Sequence, residues 1–162
     1  MPRRSRFRVS PILFMAPLAM VTAVFLWGGG PQSAALTLPK PAMSDRESAR
    51  FPLCSGPVRH TCVIDGDTFW YRGTKIRVAD INAPETSEPH CAAEAELGER
   101  ATLRLAALLN AGPFTLEAAD RDTDRYGRAL RTVTRGGESL GGELVAEGLA
   151  ERWKGYRGDW CR

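Results

Sequence analysis

The stretch IRVADINAPET, residues 76–86, sets Arg77, Asp80, Asn82 and Glu85 around Pro84, in a segment whose Ile76, Val78 and Ile81 otherwise read as β-strand. A strand that only packed would not need so much polar chemistry. Upstream, VIDGDT at 63–68 places Asp65 and Asp67 on either side of Gly66. Downstream, DRYGR at 124–128 supplies Arg125, Tyr126 and Arg128 around a turn at Gly127. Carboxylates suit a hard cation, guanidinium forks suit an oxyanion, and a loop glutamate can take a proton.

Taken singly, each motif has a plain reading. Asp-Gly is a common hairpin signal, APET at 83–86 is a turn with a solvated Glu85, and DRDTDRYGR at 120–128 is a charged loop. The alternation of Asp120, Asp122 and Asp124 suggests a calcium loop, but the EF-hand pattern asks for Gly and Glu where Arg125 and Arg131 stand. His60 and His90 lack a partner pattern for nucleophilic catalysis, and no Gly-rich phosphate loop stands out.

The elements that must position these residues follow from periodicity. VRHTCVI, TFWYR and IRVADI, separated by DGD and GTK, read as a three-stranded meander. In the third strand Arg77, Ala79 and Ile81 share one face, and Ile76, Val78 and Asp80 the other. Residues 94–110 repeat Leu97, Ala101, Leu105, Leu108 and Leu109 at helical spacing. Gly98 costs about 1 kcal/mol there relative to Ala, which moves the expected start of regular helix to Glu99. FTLEA at 114–118 and ALRTV at 129–133 read as two further strands, and SLGGELVAEGLA as a second short helix with Ser139 as N-cap. Five short strands with a helix between the third and fourth predict an α+β fold built on a small closed β-barrel of the OB type.

In this order and on this plan, VIDGDT, IRVADINAPET and DRYGR resemble the staphylococcal nuclease (thermonuclease) family over about residues 58–153. The resemblance implies a five-stranded OB-fold enzyme that hydrolyses phosphodiester bonds of DNA and/or RNA with Ca2+ and low sequence specificity. It implies that Arg77, Glu85 and Arg128 are catalytic, that Asp67, Asn82 and the backbone carbonyl of Ala83 hold the metal, and that Arg125 and Tyr126 contact substrate. These roles make chemical sense. A phosphodiester already carries negative charge, so the arginines and a cation must offset it while Glu85 deprotonates the attacking water.

Two departures stand out. The family usually carries Asp where Asn82 stands; Asn offers calcium a carbonyl oxygen but no charge, so weaker metal binding is expected, with Asp65 or Asp80 as nearby carboxylates. The competing reading is a non-catalytic OB-fold domain that binds nucleic acid or another ligand without cutting it. The second departure is GLAERWKGYRGDWCR at 148–162, which stands where the prototype has a long last helix. A disulfide from Cys161 is expected to do that helix's stabilising work. Trp153, Tyr156 and Trp160 add aromatic surface, ordinarily destined for packing, with base stacking as the alternative.

The N-terminus follows a different plan. Residues 1–10 are basic, residues 11–27 form an uncharged apolar run of 17 residues, and a Gly/Pro/Ser-rich spacer follows. This order predicts an export signal over 1–35, with cleavage preferred over an uncleaved membrane anchor. A linker is expected over 36–50 and the nuclease-like domain over 51–162, placed in the periplasm or secreted. Without the four arginines of residues 1–35, the chain has 18 basic against 19 acidic residues, a net charge of −1. A globally basic footprint for nucleic acid is therefore absent and phosphate recognition must be local. Cys54, Cys62, Cys91 and Cys161 all fall in the exported part and predict two disulfides. Of the three possible pairings, Cys54 with Cys62 and Cys91 with Cys161 is preferred; no CxxC spacing supports zinc. A monomer is the default, since no heptad or repeat argues otherwise.

Overall fold

Two hairpins open the fold. Strands β1 (Cys62–Asp65), β2 (Thr68–Tyr71) and β3 (Thr74–Val78) are antiparallel neighbours. The first turn is Gly66-Asp67; the second is Arg72-Gly73, with φ of 49° and 81°, the left-handed pair that matches the twist of a tight hairpin. Val63 lies opposite Phe69 and Phe69 opposite Ile76, so the apolar alternation stacks on one buried face. The protein is described here from a computed structural model over residues 45–161; the expected export segment, 1–35, and linker residues 36–44 lie outside the described residues.

The third sequence run does not continue as one strand. It turns at Ala79-Asp80 and resumes as β4 (Ile81–Asn82). The turn has tertiary partners: Ser139 Oγ donates to Asp80 Oδ2 at 2.6 Å, and the Trp153 N–H donates to the Asp80 carbonyl at 2.9 Å.

Helix α1 (Ala92–Asn110) buries Ala101, Leu105, Leu108 and Leu109, as the spacing predicts. It begins seven residues before Glu99, and Gly98 lies inside it for a packing reason. A Cβ there would stand 3.0 Å from the carbonyl oxygens of both Pro84 and Glu85. The N-terminus is closed by Cys91, whose Sγ accepts the Glu94 N–H, while Glu94 Oε2 accepts the His90 N–H at 2.6 Å.

Strands β5 (Thr115–Thr123), β6 (Ala129–Arg135) and β7 (Glu138–Ser139) follow, then α2 (Leu140–Ala146) and β8 (Glu151–Arg152). Ser139 caps α2 by accepting the Gly142 N–H at 2.9 Å. The main sheet runs β1-β2-β3-β6-β5 with β7 on β6, and β4 pairs β8 separately. It is a mixed sheet: β3 and β6 are parallel, with Ile76 opposite Ala129. Among the described residues no ladder returns β5 to β1, and three two-residue strands supplement the five of the main path. The pairing therefore displays an open order rather than the closed five-stranded ring expected.

The core gathers Phe51, Phe69, Tyr71 and Phe114, with ring centroids 5.7–5.9 Å apart, beneath the apolar faces of both helices. Residues 45–50, expected as the end of the linker, are held by this unit. Asp45 accepts hydrogen bonds from Thr115 Oγ1 and the Gly136 N–H, and Glu47 accepts from the Tyr71 hydroxyl. Polar composition made this stretch read as tether, but its carboxylates find donors across the fold. The structure contains the disulfides Cys54–Cys62 and Cys91–Cys161.

Candidate active site

Asp67 occupies the β1–β2 turn, and its carboxylate is buried because the turn is pressed against two other elements. A Cβ on Gly66 would come within 2.6 Å of Ala101 Cβ on α1 and 2.8 Å of Ala83 Cβ after β4. Gly66 thus serves close approach, beyond the hairpin. Asp67 Oδ2 accepts the Ala83 N–H and faces Arg77 Nη1, both at 2.9 Å, while Oδ1 accepts the Thr68 hydroxyl at 2.9 Å. Arg77 Nη1 also donates to its neighbour's carbonyl, Val78 O, at 2.7 Å.

The parallel β3–β6 pair carries Arg128 to the same place, since Arg128 precedes the Ala129 that lies opposite Ile76. Its Nη1 lies 3.5 Å from Thr68 Oγ1, which in turn donates to Asp67. Asp124 orients it: Oδ2 takes Arg128 Nε at 2.6 Å and Oδ1 the Arg128 N–H at 3.0 Å. Burial alone would raise the Asp124 pKa, but the hydrogen bonds from Arg128 and from the Tyr126 N–H outweigh it and hold the carboxyl below its ordinary 3.8. The exposed Tyr126 ring lies 4.8 Å from the Arg125 guanidinium carbon and 5.4 Å from that of Arg128, so both predicted substrate contacts sit at the rim beside a predicted catalytic arginine.

Glu85 follows Pro84 on the loop packed over Gly98. Its N–H points to Glu94 Oε1 at 3.4 Å, and its Oε1 is 2.8 Å from Arg157 Nη2. Asp65 links this group electrostatically to the turn. Burial, then the Asp67 carboxylate, with a smaller contribution from Glu85, push its pKa up to about 7, against the pull of the Asp67 N–H.

Asn82 is buried, with Nδ2 3.4 Å from Glu151 Oε1 across the β4–β8 pair. Asp80, expected as a carboxylate near the metal, is instead turned to Ser139 at the start of α2. Among the described residues no three Asp, Glu, His or Cys side chains converge as a metal cage. The oxygens this stretch offers are the Asp67 carboxylate, whose Oδ2 takes the Ala83 N–H, the Ala83 carbonyl and the Asn82 amide oxygen. All are hard oxygens, and with water and substrate oxygens they fit calcium rather than a metal that prefers thiolate or imidazole.

The structure therefore brings Asp67, Arg77, Ala83 and Arg128 into one hydrogen-bonded group with Thr68, sets Asn82 beside Ala83, and leaves Arg125 and Tyr126 at its edge. Sequence reasoning passed over Thr68, although it ends the VIDGDT motif, and weighed Asp124 only as part of a calcium loop rather than as the partner of Arg128. It gave no role to Glu151 or Arg157, for which no local signal exists.

A mixed sheet with two helices and a carboxylate flanked by two arginines define the class, and comparison with known proteins agrees. The profile described as "Staphylococcal nuclease homologue" matches residues 75–159, a little over half of the chain, and the chain belongs to that family. It is similar to Endonuclease YncB of Bacillus subtilis (strain 168), 39% identical over 92 residues, covering 54% of this chain and 43% of that protein. It is also similar to the SPbeta prophage-derived endonuclease YokF of the same organism, 38% identical over 92 residues, covering 54% of this chain and 31% of that protein. The chain thus spans less than half the length of these curated relatives.

Proposed function

We propose that this protein is an exported, calcium-dependent nuclease that hydrolyses phosphodiester bonds in DNA and/or RNA with little sequence specificity. The observation that carries the reading is the convergence of Arg77 and Arg128 on Asp67–Thr68. Family membership and the names of the relatives support it. The two disulfides support export to an oxidising compartment.

A phosphodiester seated between Arg77 and Arg128 meets charge-assisted N–H donors that grip harder as negative charge builds on its oxygens. Thr68 and Asp124 fix the direction of Arg128, so little reorganisation is needed when substrate arrives. Glu85 takes the proton from the attacking water. Arg125 and Tyr126 hold the flanking phosphate at the rim. Asp67, Asn82 and the Ala83 carbonyl would hold calcium, which when bound would supply Lewis-acid polarisation of a phosphoryl oxygen.

The test is hydrolysis of heat-denatured DNA and of RNA by the purified, oxidised protein, with calcium titrated against chelator and Glu85→Ala in parallel. Calcium-dependent cutting that falls by about 10²–10⁴ in the variant is the expected result. If both proteins are equally inert at millimolar calcium, the enzyme reading fails and the fold is a binding module.

A further inference from the structure

We propose that Arg157 is a phosphate-contacting residue of this site, stored on Glu85 until a nucleic-acid strand arrives and delivered there by the Cys91–Cys161 disulfide. The inference rests on the nuclease reading above and adds a residue to it.

The segment that follows β8 is a strap fastened at both ends. At one end the Trp153 N–H donates to the Asp80 carbonyl at 2.9 Å; at the other, Cys161 is bonded to Cys91, the N-cap of α1. Residues 153–161 between them contain no helix or strand, and most are exposed. The strap crosses the site. Trp153 lies over Arg77, with the guanidinium carbon 5.8 Å from its ring, and Arg157 reaches Glu85 at 2.8 Å. The same N-terminal turn of α1 supports both partners, because Glu94, three residues after Cys91, accepts the Glu85 N–H.

The pair is built to be broken. The Arg157 side chain is 62% exposed and touches Glu85 through one nitrogen, and ion pairs of that kind are worth only about 0–1 kcal/mol in water. A guanidinium that stayed on Glu85 would favour the ionised carboxylate and so weaken it as a base for the proton of the attacking water. An incoming phosphodiester, already gripped by Arg77 and Arg128, offers Arg157 an alternative anion at little cost. Its transfer adds a third guanidinium to the substrate and frees the base in the same movement. Without the anchor at Cys161 the end of the chain would sample a large volume, and the local concentration of Arg157 at the site would fall.

The experiment measures affinity for a labelled single-stranded oligodeoxynucleotide against salt concentration, in chelator so that nothing is cut. It compares the oxidised wild-type protein with Arg157→Ala, Arg157→Lys, the pair Cys91→Ser with Cys161→Ser, and that pair combined with Arg157→Ala. Serine at 91 preserves the N-cap. One phosphate contact on single-stranded nucleic acid contributes about 0.7 to the log–log salt slope. Arg157→Ala is expected to lose that increment and Arg157→Lys to keep it. The cysteine pair is expected to lose it as well, with no further loss when Arg157→Ala is added. In calcium, KM rises in Arg157→Ala while kcat does not fall.

An unchanged slope in Arg157→Ala overturns the proposal, and this exposed substitution leaves the core intact whatever the cysteine variants do. A normal slope in the folded cysteine pair overturns the role of the disulfide. Failure of the nuclease reading is read separately, as a wild-type protein that does not cut in calcium.

Discussion

Arg77 Nη1 stands 2.9 Å from Asp67 Oδ2, and each side chain is only 10% exposed. Such a pair is held by geometry rather than by net Coulomb gain, because both charges lose water; removing one partner strands the other. Arg77→Ala is therefore expected to lower stability by about 3 kcal/mol as well as to abolish cutting, checked by urea unfolding. Arg77→Lys should fold better than Arg77→Ala yet remain inactive, since an ammonium lacks the planar fork.

Gly98→Ala tests the contact between α1 and the Glu85 loop. Helix propensity alone favours Ala by about 1 kcal/mol. The new Cβ, however, would stand 3.0 Å from two backbone carbonyl oxygens and 3.1 Å from Thr86 Cγ2. Backbone cannot yield as a flexible side chain does, so a net loss of about 1 kcal/mol is expected, with lower kcat from a displaced Glu85. A raised melting temperature would refute the close contact.

Asn82→Asp restores a carboxylate beside Ala83. Calcium titration of activity, and of melting temperature in Glu85→Ala protein, should show half-saturation at about tenfold lower calcium, or ~1.4 kcal/mol. Glu151, 3.4 Å from the Asn82 amide, opposes the new charge. Combining the change with Glu151→Gln should therefore recover calcium-free stability that Asn82→Asp alone loses.

Asp124 predicts a pH dependence. Its folded pKa lies below the ordinary value of 3.8, so the folded state holds fewer protons there than the unfolded chain. The stability it contributes is complete above the unfolded pKa and is lost as pH falls through the folded one. Asp124→Asn should cost about 1 kcal/mol at pH 7, and the gap to wild type should narrow below pH 3.8, measured by urea unfolding across pH.

Much of this protein is legible from its sequence because the signals are local. The spacing of Leu97, Ala101, Leu105 and Leu108 marks α1 as an amphipathic helix, Ser139 marks the start of α2, and VIDGDT, IRVADINAPET and DRYGR supply the side chains that the fold brings together. Periodicity and capping depend on residues within one or two turns of each other. Cysteine number likewise pointed to two bridges, and the preferred pairing is present.

Tertiary structure decided what depends on partners distant in the chain. The third strand breaks at Asp80 because Ser139 and Trp153 hold it there, and β5 passes through a register shift after Ala118 before Thr123 pairs with Ala129 of β6. Residues 45–50 join the domain through donors on Tyr71, Thr115 and Gly136. Thr68 links Arg128 to Asp67 because the parallel β3–β6 pair brings Arg128 alongside, and Glu85 meets Arg157 on a strap that a disulfide ties back to α1. A polar side chain carries no period that announces its partner. Its hydrogen bond is chosen by which elements the folded backbone sets side by side.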